Sequence, residues 1–557
     1  MKSTYITLLL IIMISGGCED FLTRTPGDTY SETSAYQSLE DMVAALNHLY
    51  TFLPRPGLNP KQPVTFGLLT YMWTNDALRR NTNGMTFGAD LSWVSSDPHV
   101  TIFYRYREIR DINEFIVRVS NAETEDPELV ARMEKEARFI RALLYERMLF
   151  AYGNVPLVTA PTPPDFFPEP ASRKEVFDFV ISELDAIDDL PTVRDYPSPD
   201  LGRITRAAVL TLKARAYLNA IAWHPDKIAM YAGAEAACKV IVESGFYKLE
   251  EGIEGFKFLF TKASDNNSSE SILENQYLKD IRTHWLSRSF APVGAYTGPR
   301  GPQVNFSAVG ATASLIECFQ TINGLDPAND PEYNPANPWE NRDPRFRASF
   351  ILPGDTLPAK GSGAFTYVFQ PHPEVGSPAD DITGRVNPTG YNFRKYVDFS
   401  LESTGADYTN FTIFRYAEVL LMYAEALAGQ DKNPEALSYL NMVRNRVNMP
   451  SYLLTNLPEV KASTGNNLID AILLERRVEF VAEGPQRWLD IWRYKLGSKV
   501  FEGGIAYGIA KSTTAPGDLD GEKYVAMKRI WDDKLYLLPI PLSAIDANPN
   551  LTQNPEY

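Results

Sequence analysis

Two adjacent stretches, residues 205–222 (TRAAVLTLKARAYLNAIA) and 227–244 (KIAMYAGAEAACKVIVES), alternate small alanines with Leu and Tyr at helical spacing. The pattern returns at 413–428 (IFRYAEVLLMYAEALA) and 434–447 (PEALSYLNMVRNRV). Apolar residues recurring every three or four positions give a helix one apolar face, which has to be covered. Small residues on that face let a second helix approach closely. These stretches therefore predict antiparallel helix pairs of the tetratricopeptide type.

More helices are predicted around the pairs. Residues 33–53 place Leu39, Met42, Val43, Leu46, Leu49 and Tyr50 on one face, and helical period recurs at 100–120 and 128–151. Ser172 opens a helix over 172–190, with Glu175 three residues later at capping-box spacing. Residues 467–483 form a last helix, and six prolines break the pattern at 155–170. Two regions have no helical period. Residues 54–98 are rich in Pro, Gly, Asn and Asp and read as a long ordered loop, whereas 250–410 are irregular and aromatic. Non-helical regions of that length are functional or disordered, and their aromatic content argues against disorder. The 557 residues allow two domains or one large fold. The expected division is one fold over 31–557, with a helical part to 250, a loop-rich insertion carrying short strands over 251–410, and a C-terminal part over 411–557.

The chain opens with Lys2 and an apolar run from Ile6 to Ile14. That run is too short to span a bilayer, which takes roughly 20 residues. Residues 1–17 therefore read as a cleaved signal peptide. Gly16 and Gly17 precede Cys18, a lipobox-like arrangement with Ser15 where Leu is usual. Cys18 is the expected lipidation site, and residues 18–30 are its tether. No other stretch approaches 18 apolar residues, so the mature chain is expected to be anchored to a membrane without crossing it.

Charge and motifs narrow the chemistry. The chain carries 70 acidic and 54 basic residues, a net charge of −16, with no basic run. Nucleic acid is excluded as a partner on these grounds, while neutral or cationic ligands and plain solubility both fit. The five histidines lack metal-ligand spacing, and no HExxH, GxSxG or P-loop occurs, so no cofactor or metal is expected. The loops DNNSSE (265–270) and DPANDPE (326–332) offer oxygen ligands without EF-hand spacing. Cys238 and Cys318 could pair or remain buried thiols, and spacing leaves this open.

Glu475, Glu479 and Glu483 share one helix face at about 6 Å per turn. Glycosidases use two carboxylates roughly 5–10 Å apart. However, Arg476, Arg477, Arg487 and Arg493 crowd the same segment. Cations favour the ionised carboxylate, whereas a general acid needs a raised pKa. The triad is therefore expected to form a structural ion-pair network, and no catalytic residue is assigned.

Several motifs, taken in order, carry a family resemblance: CEDFL (18–22), NRDPRF (341–346), FRYAEVLLMYAEAL (414–427), LNMVRNRV (440–447), ERRVEFVAEGPQRWLDIWR (475–493) and LLPIPLSAIDANPNLTQNPEY (537–557). Together they resemble the SusD/RagB family of outer-membrane nutrient-binding lipoproteins. The resemblance implies a mostly α-helical, α/α fold scaffolded by four tetratricopeptide-like helix pairs. It also implies a glycan-binding, non-enzymatic role at the cell surface and a SusC-like TonB-dependent transporter as partner. Glu19 and Asp20 after Cys18 resemble the surface-export signal of Bacteroidota lipoproteins, which implies an outer-membrane anchor facing the cell exterior. Peptide capture on the same fold and a carbohydrate-active hydrolase are the alternatives.

Sugars offer C–H patches to aromatic faces and hydroxyls to Asn, Asp, Arg and Gln. Trp488, Trp492 and Trp531 belong to the C-terminal motifs and read as core, and Trp223 ends a helix. Trp73, Trp93, Trp285 and Trp339 lie in the loop-rich regions, where a platform would have to be exposed. The candidate ligand residues are Trp73, Asp76, Arg79, Asn81 and Trp93 in the first loop region, and Trp285, Tyr296 and Arg300 in the second.

Overall fold

The computed structural model describes residues 36, 38–56, 66–79, 89–163, 165–193, 195–197, 200–295, 305–358, 366–372, 380, 382, 389–399, 407–511 and 521–557. The leader, Cys18 and its tether, Asn81, Tyr296 and Arg300 lie outside the described residues.

The fold is mostly helical. Its longer helices are α1 (Leu39–Leu49), α2 (Phe66–Met72), α3 (Tyr106–Ser120), α4 (Pro127–Tyr152), α5 (Arg173–Asp185) and α6 (Arg206–Ala220). They continue with α7 (Lys227–Ser244), α8 (Tyr416–Ala428), α9 (Asn433–Asn445), α10 (Asn467–Glu479) and α11 (Gln486–Arg493). Helix α3 packs on α4 and α4 on α5, with α1 lying against both α3 and α4, while α6 with α7 and α8 with α9 form hairpin pairs. Helix α7 also packs on α8, which joins these two hairpins across 171 residues of intervening chain.

Local chemistry sets the helix ends. Ser172 accepts a hydrogen bond from Glu175 N, and the Glu175 carboxylate accepts one from Ser172 N at 2.8 Å, completing the capping box. Thr205 and Asp226 cap α6 and α7 through Ala208 N and Ala229 N. Small residues bring the helices together as their spacing predicts. A Cβ on Gly233 of α7 would lie 2.6 Å from the Tyr217 ring of α6, so only glycine admits that contact.

Helix α8 starts later than its period suggests. Residues Phe411–Arg415 form a strand paired antiparallel with Ser271–Asn275, and Arg415 has extended backbone at the helix N-cap. The β-branched and aromatic side chains of FTIF suit a pleated surface, and the partner strand supplies the ladder. A four-stranded sheet has the order Ala77–Arg79, Val309–Ala311, Asn392–Phe393, Phe350–Ile351, and it ties the N-terminal loop region to the insertion. The expectation of unbroken loop over 54–98 is corrected here, because α2 and the strand Ala77–Arg79 lie within it. Their short apolar runs are buried by neighbours distant in sequence, so local period does not reveal them. The largest group of touching buried side chains extends from Met42 to Leu551.

Cys238 and Cys318 are both free thiols, and burial raises the pKa of each, that of Cys318 to about 11. Among the described residues no helix is long and apolar enough to cross a membrane.

Candidate functional site

The expectation of one helix over 467–483 is corrected: α10 ends at Glu479, and Glu483 follows on a turn in which Ala482 takes a positive φ, so the three carboxylates do not share a helix face, though all three are sealed inside the protein. Glu475 pairs with Arg345 at 2.5 Å and Arg444 at 2.9 Å. Glu479 accepts from Arg345, Arg415 and Arg446 at 2.8, 2.6 and 2.5 Å. Glu483 takes Lys395 at 2.8 Å and Arg415 at 2.6 Å. Burial alone would raise the Glu479 pKa, but these guanidinium groups together hold it well below the usual carboxylate range. A carboxylate fixed in its ionised form has no proton to give a leaving group, so Glu479 is not a glycosidase acid. A second centre adjoins it, in which Arg476 and Arg493 share Asp490, and Arg493 also bonds Glu425 at 2.5 Å.

The depressed pKa has a consequence for pH. Glu479 has a lower pKa folded than unfolded, so its contribution is complete above the unfolded value and is lost as pH falls. We expect the melting temperature to drop steeply between about pH 5 and pH 3. A melting temperature flat to pH 3 would contradict this assignment.

Several candidate ligand residues belong to the core. Trp73 is 0% exposed and Trp93 is 2% exposed. Their rings lie 4.6 Å apart in a cluster with Phe103, Trp488 and Trp492. A stacking role for either is corrected: neither presents a face to solvent, because α11 supplies aromatic partners that sequence spacing does not reveal. Asp76 is likewise buried, held by Arg477 at 2.6 Å, so its carboxylate is committed to an internal ion pair. Arg79 is half-buried on the first strand of the four-stranded sheet, and desolvation lowers its pKa to about 10. Trp339 packs beside Phe346 and Tyr391 on the edge of the core.

Trp285 has a different setting. Its neighbours in sequence, His284, Leu286 and Ser287, are buried. His284 N donates to Asp407 O at 2.8 Å, and Ser287 Oγ donates to the Asp407 carboxylate at 2.5 Å, which fixes the backbone from beneath. Trp285 and Arg288 consequently point away from that base. Residues 305–308 run alongside, with Phe306 N donating to Arg288 O at 2.8 Å and Ala308 N to Ser289 O at 2.8 Å. Asn305 and Ser307 are buried, which turns Phe306 outward at 37% exposure. The Trp285 and Phe306 rings meet edge to face at 6.1 Å. The Arg288 guanidinium lies 3.9 Å from the Phe306 centroid and 5.4 Å from that of Trp285.

The result is an aromatic surface with a guanidinium fork on a rigid base. Aromatic faces accept C–H patches, and a guanidinium donates to hydroxyl oxygens. Sequence reading found Trp285 but missed Arg288 and Phe306. The signal available was the three-residue spacing of the less buried Trp285 and Arg288 in WLSRSF and the single exposed Phe306 in NFSA, which becomes legible only once these segments lie side by side. Among the described residues, no group of three or more His, Cys, Asp or Glu side chains is placed to hold a metal.

A helical-repeat scaffold whose acidic clusters are spent on internal pairing defines the structural class. The model of the SusD family matches residues 269–557, and the chain belongs to that family. It is 25% identical to SusD-like protein P2 of Formosa agariphila over the full length of both chains. A SusD-like carbohydrate binding protein from Bacteroides fragilis superposes with a TM-score of 0.78 at 24% identity, covering 93% of this chain and 99% of that one. Another SusD-like protein of B. fragilis gives a TM-score of 0.77 at 24% identity, covering 96% of this chain and all of its own.

Proposed function

We propose that this protein is a cell-surface glycan-binding lipoprotein that captures oligosaccharide or polysaccharide and passes it to a SusC-like TonB-dependent transporter. The observation that carries the reading is the cluster of exposed Phe306 with half-buried Trp285 and Arg288 on a braced base. Family membership and the fold shared with a carbohydrate binding protein support it. The carboxylate triad, locked by cations, favours binding over hydrolysis. Tyr296, Arg300 and Asn81 are proposed to complete the ligand contacts. Cys18 is proposed to carry the lipid, with Glu19 and Asp20 directing the protein to the outer face of the outer membrane.

Affinity electrophoresis against a polysaccharide panel tests the reading. Retarded migration is expected for at least one glycan, without release of reducing ends. Trp285→Ala should weaken that retention roughly tenfold, the scale of losing one buried aromatic contact. Retention of peptides in place of glycans, or release of sugar, would replace the proposal with the corresponding alternative. For the anchor, fatty-acid labelling is expected to disappear in Cys18→Ala, and labelling that persists would rule this anchor out.

A further inference from the structure

A cavity of about 560 Å³ opens between α4, α5 and α6 on one side and residues 533–537 and 555–556 on the other. It shares no lining residue with the Trp285 platform, and its size falls within the ~300–1,000 Å³ usual for small-ligand sites. Its polar groups are unusual for a void between helices. Glu146 lines it at 5% exposure. One oxygen of Glu146 accepts from Asn219 Nδ2 at 2.6 Å. The Oδ1 of the same Asn219, also on the lining, is buried with no hydrogen-bond partner among the described residues, and a buried acceptor left without a donor is a standing demand for one.

Arg173 also lines the cavity, and among the described residues no carboxylate pairs with it. Its guanidinium packs over Gly153, where a Cβ would come within 2.8 Å. The cavity therefore offers an acceptor at Asn219 and a donor at Arg173. Phe177 and Trp223 form one wall, with their rings edge to face at 5.8 Å. Three cations line the space, Arg173, Lys495 and Lys534, against three acids, Glu146, Asp533 and Glu556. The balance selects against a charged ligand. A hydroxyl group both donates and accepts, and a sugar ring adds a C–H face for the indole.

We propose that this cavity is a second binding site, for a neutral monosaccharide, with Asn219 as acceptor, Arg173 as donor and Trp223 as stacking wall. It is independent of the platform, so either site can fail while the other stands. The test is saturation-transfer NMR on the full chain in detergent, with glucose, galactose, mannose, xylose and fucose at millimolar concentration. Glucosamine and glucuronate serve as charged comparisons. At least one neutral sugar should receive saturation. Trp223→Ala and Arg173→Gln, each checked for an unchanged melting temperature, should weaken that binding roughly fivefold or more. Trp285→Ala should leave it unchanged. The proposal is overturned if no neutral sugar receives saturation, if a charged sugar is preferred, or if both cavity variants bind as the parent does. Loss of the signal in Trp285→Ala would also overturn it, by assigning the binding to the platform.

Discussion

Glu479→Ala is expected to destabilise the protein by roughly 3–5 kcal/mol, the range for breaking a buried charge network from one side. Glu479 is fully buried and accepts from Arg345, Arg415 and Arg446 at once. Its removal leaves three guanidinium groups short of an acceptor in a low-dielectric interior. Arg345 would keep Asp343 and Glu475, and Arg415 would keep Glu270 and Glu483. Arg446 would keep only Glu270 at 3.2 Å among its carboxylate partners. The loss is a large share of the ~5–15 kcal/mol that holds a typical native state. Denaturant titration of the two proteins measures it, and a difference below about 1 kcal/mol would show that the network relaxes around the gap. Replacing the whole cluster with apolar residues of matched volume is a different experiment, since buried ion pairs exchanged in full are often neutral in stability.

Trp73→Ala is expected to cost about 3–5 kcal/mol, as large-to-small changes of buried aromatic residues do. The indole is enclosed by Trp93, Phe103 and Trp488 at 4.6, 5.8 and 5.9 Å, and α11 closes the cluster from the far side of the sequence. Its removal opens a cavity that rigid rings cannot collapse to fill. Glycan retention by the folded variant should match the parent, because Trp73 has no exposed face. The core assignment would be wrong if Trp73→Ala abolished retention while leaving the thermal transition in place. This variant and Trp285→Ala therefore form a matched pair: two tryptophans from loop-rich sequence, one expected to govern stability and the other binding.

The motifs that identify the family are chiefly its scaffold. NRDPRF supplies Asp343 and Arg345, FRYAEV supplies Arg415 and Glu418, and LNMVRNRV supplies Arg444 and Arg446. The segment 475–493 supplies the three glutamates, Asp490 and the tryptophans of the aromatic cluster. Strong sequence signatures thus mark where charges must meet inside the protein, and the proposed ligand surface carries no such signature. Glu418 illustrates the point: its carboxylate receives Arg215 at 2.6 Å from 203 residues away.

The sequence by itself determined the helices, because period, capping and small residues are local properties. Ser172 with Glu175, and Gly233 against Tyr217, needed only neighbours within a turn or one helix hairpin. It also pointed to an ion-pair network around Glu475, Glu479 and Glu483 but not to its members: the cations come from Arg345, Lys395, Arg415, Arg444 and Arg446 in other segments, while Arg476, Arg477 and Arg493 of the same segment pair with Asp490, Asp76 and Glu425. What only the tertiary structure decided was how deeply each tryptophan is buried. Trp73 and Trp285 sit in comparable loop-rich sequence, and nothing local separates them. Trp73 is buried because α11 and the Phe103 segment close over it. Trp285 stays only half-buried because Asp407 and residues 305–308 hold its backbone from one side. Exposure is set by what packs from far along the chain, and sequence period does not encode that packing.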